Sequence, residues 1–420
     1  MTRNRRLRFL SLLGCCASVL GAASAAEPLQ SLIDAEAPGS TLRLAATVYT
    51  IDEAVNLNKP LSIEGSNGTI IDGQWRDTLM LIGPDASGST VRGIMFRNGG
   101  RSSTREWAGI RIDGASRVTI EDNQFMDCNY GIYLAKAADC VLQGNTVTGK
   151  PGIEQNSGNG IHLWSSQRVA IRGNDVSGHR DGIYLEFSGN TLVEENAVHE
   201  NTRYGLHFMS ANDCRYVENR FTANGAGVAV MYSTNVEMTG NLFEKSWGGS
   251  AYGLLLKDIR DSHITDNTFH ANSTGVYAQG VTRTRFERNL LRENGWALRL
   301  LSDGTENEIL DNDFIRNSFD FAVNGQLISH RIAGNYWDRY EGYDLRRDGD
   351  GDVPYRPVSL YGMLTERVPA SLVLLHSFMV QLIDRAERAF PSITPESVVD
   401  ESPAMKPRRP VAGGPASRLP

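Results

Sequence analysis

Residues 182–219 read GIYLEFSGNTLVEENAVHENTRYGLHFMSANDCRYVEN. One phrase occurs twice in this stretch, as Gly182-Ile183-Tyr184-Leu185 and Gly205-Leu206-His207-Phe208. Each is a Gly followed by apolar, any, apolar, and fourteen residues after each Gly stands an Asn, Asn196 and Asn219. The same pair of features continues in both directions. Gly109, Gly131, Gly160, Gly227, Gly253 and Gly275 open further phrases, and Asn123, Asn145, Asn174, Asn241, Asn267 and Asn289 follow at the same offset. Asn312 and Asn335 extend the series. Successive Asn are 22, 29, 22, 23, 22, 26, 22, 23 and 23 residues apart, and the long intervals hold inserts at 149–158 and 246–251.

Apolar-any-apolar is a two-residue period, that of a strand with one buried face. Two more short alternations flank each Asn, as in Val118-Thr119-Ile120 and Asn123-Gln124-Phe125. Three short strands and three turns in about 22 residues make one rung of a right-handed parallel β-helix, an all-β fold. Stacked amides ~4.8 Å apart can bond along the rod, and Asn tolerates the left-handed conformation of a sharp corner. A second, partial column lies five residues on, at Asn201, Asn224, Asn272, Asn294 and Asn317.

The chain divides accordingly. Residues 1–25 resemble an export signal: Arg3, Arg5, Arg6 and Arg8, then an apolar run from Phe9 to Leu20, then Ala23-Ser24-Ala25. That run is too short to cross a bilayer. The solenoid is expected over 26–337, an acidic end cap over 338–370, a helical segment over 371–400 and a disordered tail over 401–420. Net charge is −7 with no internal basic run, which excludes nucleic acid as a partner. Three cysteines follow the leader, an odd number that argues against a disulfide framework. Cys140 and Cys214 share an inward column, three rungs and ~14 Å apart, too far to bridge.

Function in such a rod is expected on an outer face. With Leu206 and Phe208 inside, His207 and Met209 point out. The same register brings out His162, Trp164, Tyr184, Glu186 and Met231, a patch ~15 Å tall over four rungs. Thioethers beside imidazoles suit Cu(I), so His207, Met209, Met231 and His162 are copper candidates. Trp164, Tyr184 and Glu186 complete the patch, which as a plain apolar surface would instead contact a protein. In the end cap, Asp344, Asp348, Asp350 and Asp352 place carboxylates in a Gly-rich loop. They are candidates for calcium, with a solvated acidic turn as the alternative. Between Ser371 and Phe390, Leu372, Leu375, Met379, Leu382 and Ile383 form one stripe of a helix that either closes the open end or docks on a partner.

The stretch Asn335-Tyr336-Trp337-Asp338-Arg339-Tyr340-Glu341-Gly342-Tyr343-Asp344, with Asp348-Gly349-Asp350-Gly351-Asp352 and Pro354-Tyr355-Arg356-Pro357, resembles the end signature of NosD-type proteins. The tail from Leu374 through Arg385-Ala386-Glu387-Arg388 to Glu396 is similar to theirs as well. The resemblance implies a periplasmic, non-enzymatic accessory protein that helps assemble the copper-sulfur centre of nitrous oxide reductase. Its implied partners are the permease and ATPase of an ABC transporter at the inner membrane, the reductase and a copper chaperone. Deleting everything after Gly362 is then expected to leave the solenoid folded and abolish the complex. A polysaccharide lyase, hydrolase or epimerase, or a carbohydrate-binding solenoid, is the alternative. Against it, the chain has no Asp-Pro-His run, and no adjacent Asp pair followed by Gly-His-Gly.

Overall fold

The computed structural model describes residues 28–409 apart from 151–156, 250, 302, 326, 328, 376, 391–392 and 394–396. The expected leader lies outside these residues. The chain forms a right-handed parallel solenoid of three sheets. The first runs from Thr41–Arg43 to Arg331–Ala333 and the second from Val48–Thr50 to Tyr336–Trp337, each with 13 strands. The third has 12 longer strands, from Val55–Leu57 to Phe319–Ala322, and carries the Gly phrases. Inward positions stack like on like: Phe221, Phe243 and Phe269 lie 5.4 and 4.7 Å apart, and Phe314 lies 4.1 Å from Trp337.

The Asn column binds three rungs at every step. Asn219 Oδ1 accepts from the backbone N–H and Nδ2 of Asn196 (3.0 and 2.9 Å). Its own Nδ2 donates to Val193 O (2.8 Å) and to Asn241 Oδ1 (3.0 Å). The pattern runs unbroken from Asn123 to Asn335. One expectation is corrected: the ladder Asn residues are not themselves left-handed. The residue before each one takes the positive φ, as at Glu195 (55°) and Glu218 (54°). The amide is thus free to serve the ladder while its neighbour turns the corner. The phrase Gly is required by proximity: a Cβ on Gly205 would stand 2.7 Å from Gly227 O and from Asn224 Nδ2.

Both ends are closed. Helix α1 (Leu29–Ala35) lays Leu29 and Ile33 on the first rungs. At the other end, Tyr355, Val358 and Val398 pack against Trp337 and the last core residues. The ladder does not stop at Asn335. Asp400 Oδ2 accepts from Asn335 N–H (3.1 Å), Asn335 Nδ2 (3.0 Å) and Trp337 Nε1 (3.0 Å). The disordered tail expected from 401 is corrected over 401–409. Ala404 is buried, and the N–H groups of Arg408 and Arg409 donate to Asp313 (2.7 and 2.8 Å). Polar composition misled there, because the segment is held by hydrogen bonds to a buried carboxylate rather than by apolar burial.

The single expected helix is also corrected. It is a 3-10 turn at Pro369–Leu374 followed by α3 (Phe378–Ala389), preceded by α2 (Leu360–Arg367). These helices do not close the rod. Tyr361 and Val380 cover Phe319 on the outer face of the third sheet, beside Trp296, and Glu366 pairs with Arg299 at 2.5 Å.

Because Asp400 lies beyond the helices, the deletion after Gly362 should unfold the last rungs rather than spare them. Asp400→Ala, which orphans three buried donors, should cost on the order of 2–5 kcal/mol in a urea titration. A loss under about 0.5 kcal/mol would refute the ladder's closure. A second carboxylate makes a pH test. Asp320 is buried in the last rung, where Asn317 Nδ2 donates to it (3.3 Å) as its one side-chain hydrogen bond among the described residues, and burial raises its pKa from 3.8 to about 6. An acid with a raised folded pKa binds more protons folded than unfolded, so stability falls as pH rises from about 4 to 6. Asp320→Asn should therefore stabilise above pH 6 by roughly 2–3 kcal/mol and have no effect near pH 4. An equal effect at both pH values would contradict this.

Candidate functional site

The third sheet's register sets Arg111, Tyr133, His162, Tyr184 and His207 in one outward column. Ala135, Trp164, Glu186, Met209 and Met231 form the next. All seven residues of the expected patch thus share one face. Their exposure is corrected: His162 and His207 are 6% accessible and Tyr184 7%. The cause is the rung spacing, which matches ring stacking. Tyr133–His162, His162–Tyr184 and Tyr184–His207 centroids are 4.9, 4.7 and 4.4 Å apart, the last pair parallel within 7°. Tyr130 and Tyr204 flank the two imidazoles. Trp164, Glu186, Met209 and Met231 remain partly accessible.

The two histidines are held differently. Asn159 Nδ2 donates to His162 Nδ1 (3.2 Å), and His162 Nε2 faces Glu186 Oε2 at 3.6 Å. Burial lowers the His162 pKa against the pull of Glu186, and the His162 contact lowers that of Glu186. His207 Nδ1 instead lies 3.3 Å from Asp181 Oδ2 and 3.5 Å from Arg203 Nη2, and the nearer carboxylate takes its proton. Asp181 is fully buried and gripped by Arg203, whose Nε reaches Oδ1 at 2.8 Å. Burial would raise the Asp181 carboxyl, but its hydrogen bonds from Arg203 and His207 prevail and hold it at about 2.

In that tautomer Nε2 carries a lone pair, and among the described residues it is buried without a hydrogen-bond partner. A carboxylate behind an imidazole is how proteins orient a metal-binding His. Met209 lies two residues along the same strand and Met231 beside it in the next rung. Tyr184 Oη donates to Met209 Sδ (3.5 Å), which fixes one thioether. An imidazole with thioethers suits Cu(I). Among the described residues no three His, Cys, Asp or Glu converge as ligands of a harder ion would.

Nor are the four end-cap aspartates gathered around one point among the described residues. Asp344 accepts from the N–H groups of Asp348 and Gly349, Asp348 from that of Asp350. Asp352 takes Arg346, and Asp350 takes Arg408. The loop's own amides and arginines occupy the four carboxylates. Of the docking stripe, Leu372, Met379 and Leu382 are exposed, while Leu375 and Ile383 are partly covered. Cys128, Cys140 and Cys214 are free and buried, and burial pushes the thiols of Cys128 and Cys214 up to about 12.

A curated protein of Pseudomonas aeruginosa, "Probable ABC transporter binding protein NosD", is 30% identical over 417 residues, covering 92% of this chain and 94% of its own. The chain belongs to the NosD family. A NosD protein of Stutzerimonas stutzeri with the same description is 28% identical over 83% of this chain and 84% of its own. The family's sequence model, "Periplasmic copper-binding protein (NosD)", matches residues 144–342, which contain the His207 site, and a right-handed β-helix model matches 55–159. Among solved structures, a GH87 α-1,3-glucanase of Streptomyces thermodiastaticus superposes with a TM-score of 0.61 at 12% identity, over 74% of this chain and 65% of that one. The A-module of mannuronan C-5 epimerase AlgE4 from Azotobacter vinelandii gives 0.50 at 18%, over 73% and 90%. At such identities these likenesses show the fold alone. Among the described residues no helix is long and apolar enough to cross a membrane.

Sequence reasoning missed Asp181, Arg203 and Asn159. Alternation from Ile183 sends Asp181 inward, but Asp181 opens its strand directly after the corner at 178–180 and lies alongside His207. The aromatic residues before the other phrase glycines, Tyr130 and Tyr204, were the available signal. The Asp181 contact assigns Nδ1–H to His207, and the Asn159 amide, which can only donate to Nδ1, assigns Nε2–H to His162. Long-range 1H–15N spectra of histidine-labelled protein should show both, and an Nε2–H His207 would contradict the assignment.

Proposed function

We propose that this NosD-family chain is a periplasmic accessory protein that holds Cu(I) on its third-sheet face for assembly of the copper-sulfur centre of nitrous oxide reductase. His207 Nε2 is the anchoring ligand, Met209 and Met231 supply the thioethers, and His162 lies two rungs away as a further donor. The carrying observation is the buried, partnerless Nε2 aimed by Asp181. Bound copper would supply a soft-metal cargo. The chain's own residues orient the imidazole, exclude water by stacking and keep the site in a low dielectric.

The exposed residues Leu372, Met379 and Leu382, with Val373 and Phe378, belong to the helical segment that packs on Trp296 and Phe319 of the third sheet through Tyr361 and Val380. They form the surface by which the chain would dock on the transporter's permease, with copper received from a chaperone and passed to the reductase. A catalytic role on polysaccharide has less support at this site: Asp181 is buried against Arg203, so it and Glu186 do not form the two carboxylates open to substrate that a glycosidase needs.

Competition titration with a Cu(I) chelator tests the site. Replacing His207, Met209 and Met231 together with Ala should weaken binding at least tenfold, about 1.4 kcal/mol. Asp181→Asn should weaken it less. Unchanged affinity in the triple variant would move the site elsewhere. In cells, the same triple variant should yield reductase lacking the absorption of its copper-sulfur centre, and fully loaded reductase would defeat the assembly role.

A further inference from the structure

The third-sheet face carries a second concavity, four rungs before His207. It is a cavity of about 350 Å³ over Leu81 and Arg111, near the lower end of the range for small-molecule sites. One wall is the loop 99–107, which contributes Arg105, Glu106 and Trp107; Asp77 and Asp113 form the others. None of these residues belongs to the copper site.

Two tryptophans shape this end of the rod. Trp107 lines the cavity, with the Arg105 guanidinium 5.9 Å from its ring centre. The loop is built to seat it: a Cβ on Gly100 would lie 2.6 Å from the Trp107 ring and 2.8 Å from Asp77 N. Trp75 stands two residues from Asp77, 46% exposed, with Arg101 over its face at 5.1 Å. Gln74 and Trp75 both adopt the left-handed conformation (φ 49° and 65°), which a bulky side chain rarely takes.

The polar groups are fixed as well. Arg111 lies 4.9 Å from the Tyr133 ring centre and is held between Asp113 (3.2 Å) and Glu106 (3.6 Å). Asp113 and Glu106 stay about half exposed, so both keep free acceptor sites. Three carboxylates and two guanidiniums nearly cancel. Neither an anion nor a cation is favoured. A ring with apolar faces and a rim of hydroxyls matches instead: the C–H faces lie on indole, and each hydroxyl donates to a carboxylate and accepts from a guanidinium.

We infer that this cavity binds a neutral pyranose saccharide, with Trp107 as the stacking platform and Asp113, Glu106 and Arg111 as the hydroxyl-reading groups. It gives the rod a glycan contact at the end opposite the helices α2 and α3.

The test is a titration of the full chain with glucose oligosaccharides and N-acetylglucosamine oligomers, read by tryptophan fluorescence and by saturation-transfer NMR. Weak but saturable binding with quenching is expected. Trp107→Ala and Asp113→Asn should each reduce affinity at least tenfold, and Trp107→Phe should retain part of it, which separates loss of stacking from loss of fold. The variant lacking His207, Met209 and Met231 should bind saccharide normally, and Trp107→Ala should bind Cu(I) normally. No saturable binding of either series up to about 10 mM, weaker than millimolar affinity, overturns the inference. So does binding that survives Trp107→Ala and is lost in Trp164→Ala, which would place saccharide on the aromatic column.

Discussion

A single side-chain amide that ties three successive turns is the interaction on which this molecule rests. A corner of a parallel solenoid leaves backbone donors and acceptors that no strand can pair, and burying them unpaired would cost about 1–3 kcal/mol each. The Asn ladder satisfies them in a repeating pattern, so the corner can be buried and the rungs kept in register. Register then decides everything on the outside. A one-residue slip would turn the His207 face inward, so the candidate site exists only because the ladder fixes each rung against the next.

The fold was legible because its constraints are local and recur. A Gly that must lie against the next rung's carbonyl, and an Asn at a fixed offset, leave their mark once per turn. The site was half legible. Alternation correctly brought His162, Tyr184, His207, Met209 and Met231 to one face. It could not foresee that rings stacked at the rung spacing shield one another, nor that Asp181 crosses to their side, because the alternating rule lapses at the first residue of a strand. The cap was least legible. Asp344, Asp348, Asp350 and Asp352 have the spacing of cation ligands, but backbone amides of the same loop and two arginines reach them first. Composition likewise gave no sign that Arg408 and Arg409 present their N–H groups to Asp313.

The third sheet's outer face therefore holds three different surfaces in line. A walled, charge-balanced cavity at Arg111 comes first, then the closed stack ending at His207 and the two methionines, then the apolar helices on Trp296 and Phe319. Arg111 on Tyr133 joins the first to the second, and the Arg299–Glu366 pair fastens the third to the rod. The first sheet shows mostly exposed ion pairs, such as Arg215–Glu237 and Arg172–Glu194, which contribute little each.

Asp400 closes a ladder whose last amide was made 65 residues earlier. During synthesis the early turns can stack as they emerge, each serving as template for the next. The final turn has no such support until nearly the whole chain is made. Over that interval the newborn rod presents an open parallel edge, the kind of surface to which a stray strand adds. The late-arriving carboxylate thus sets when the nascent protein ceases to be vulnerable to misassociation.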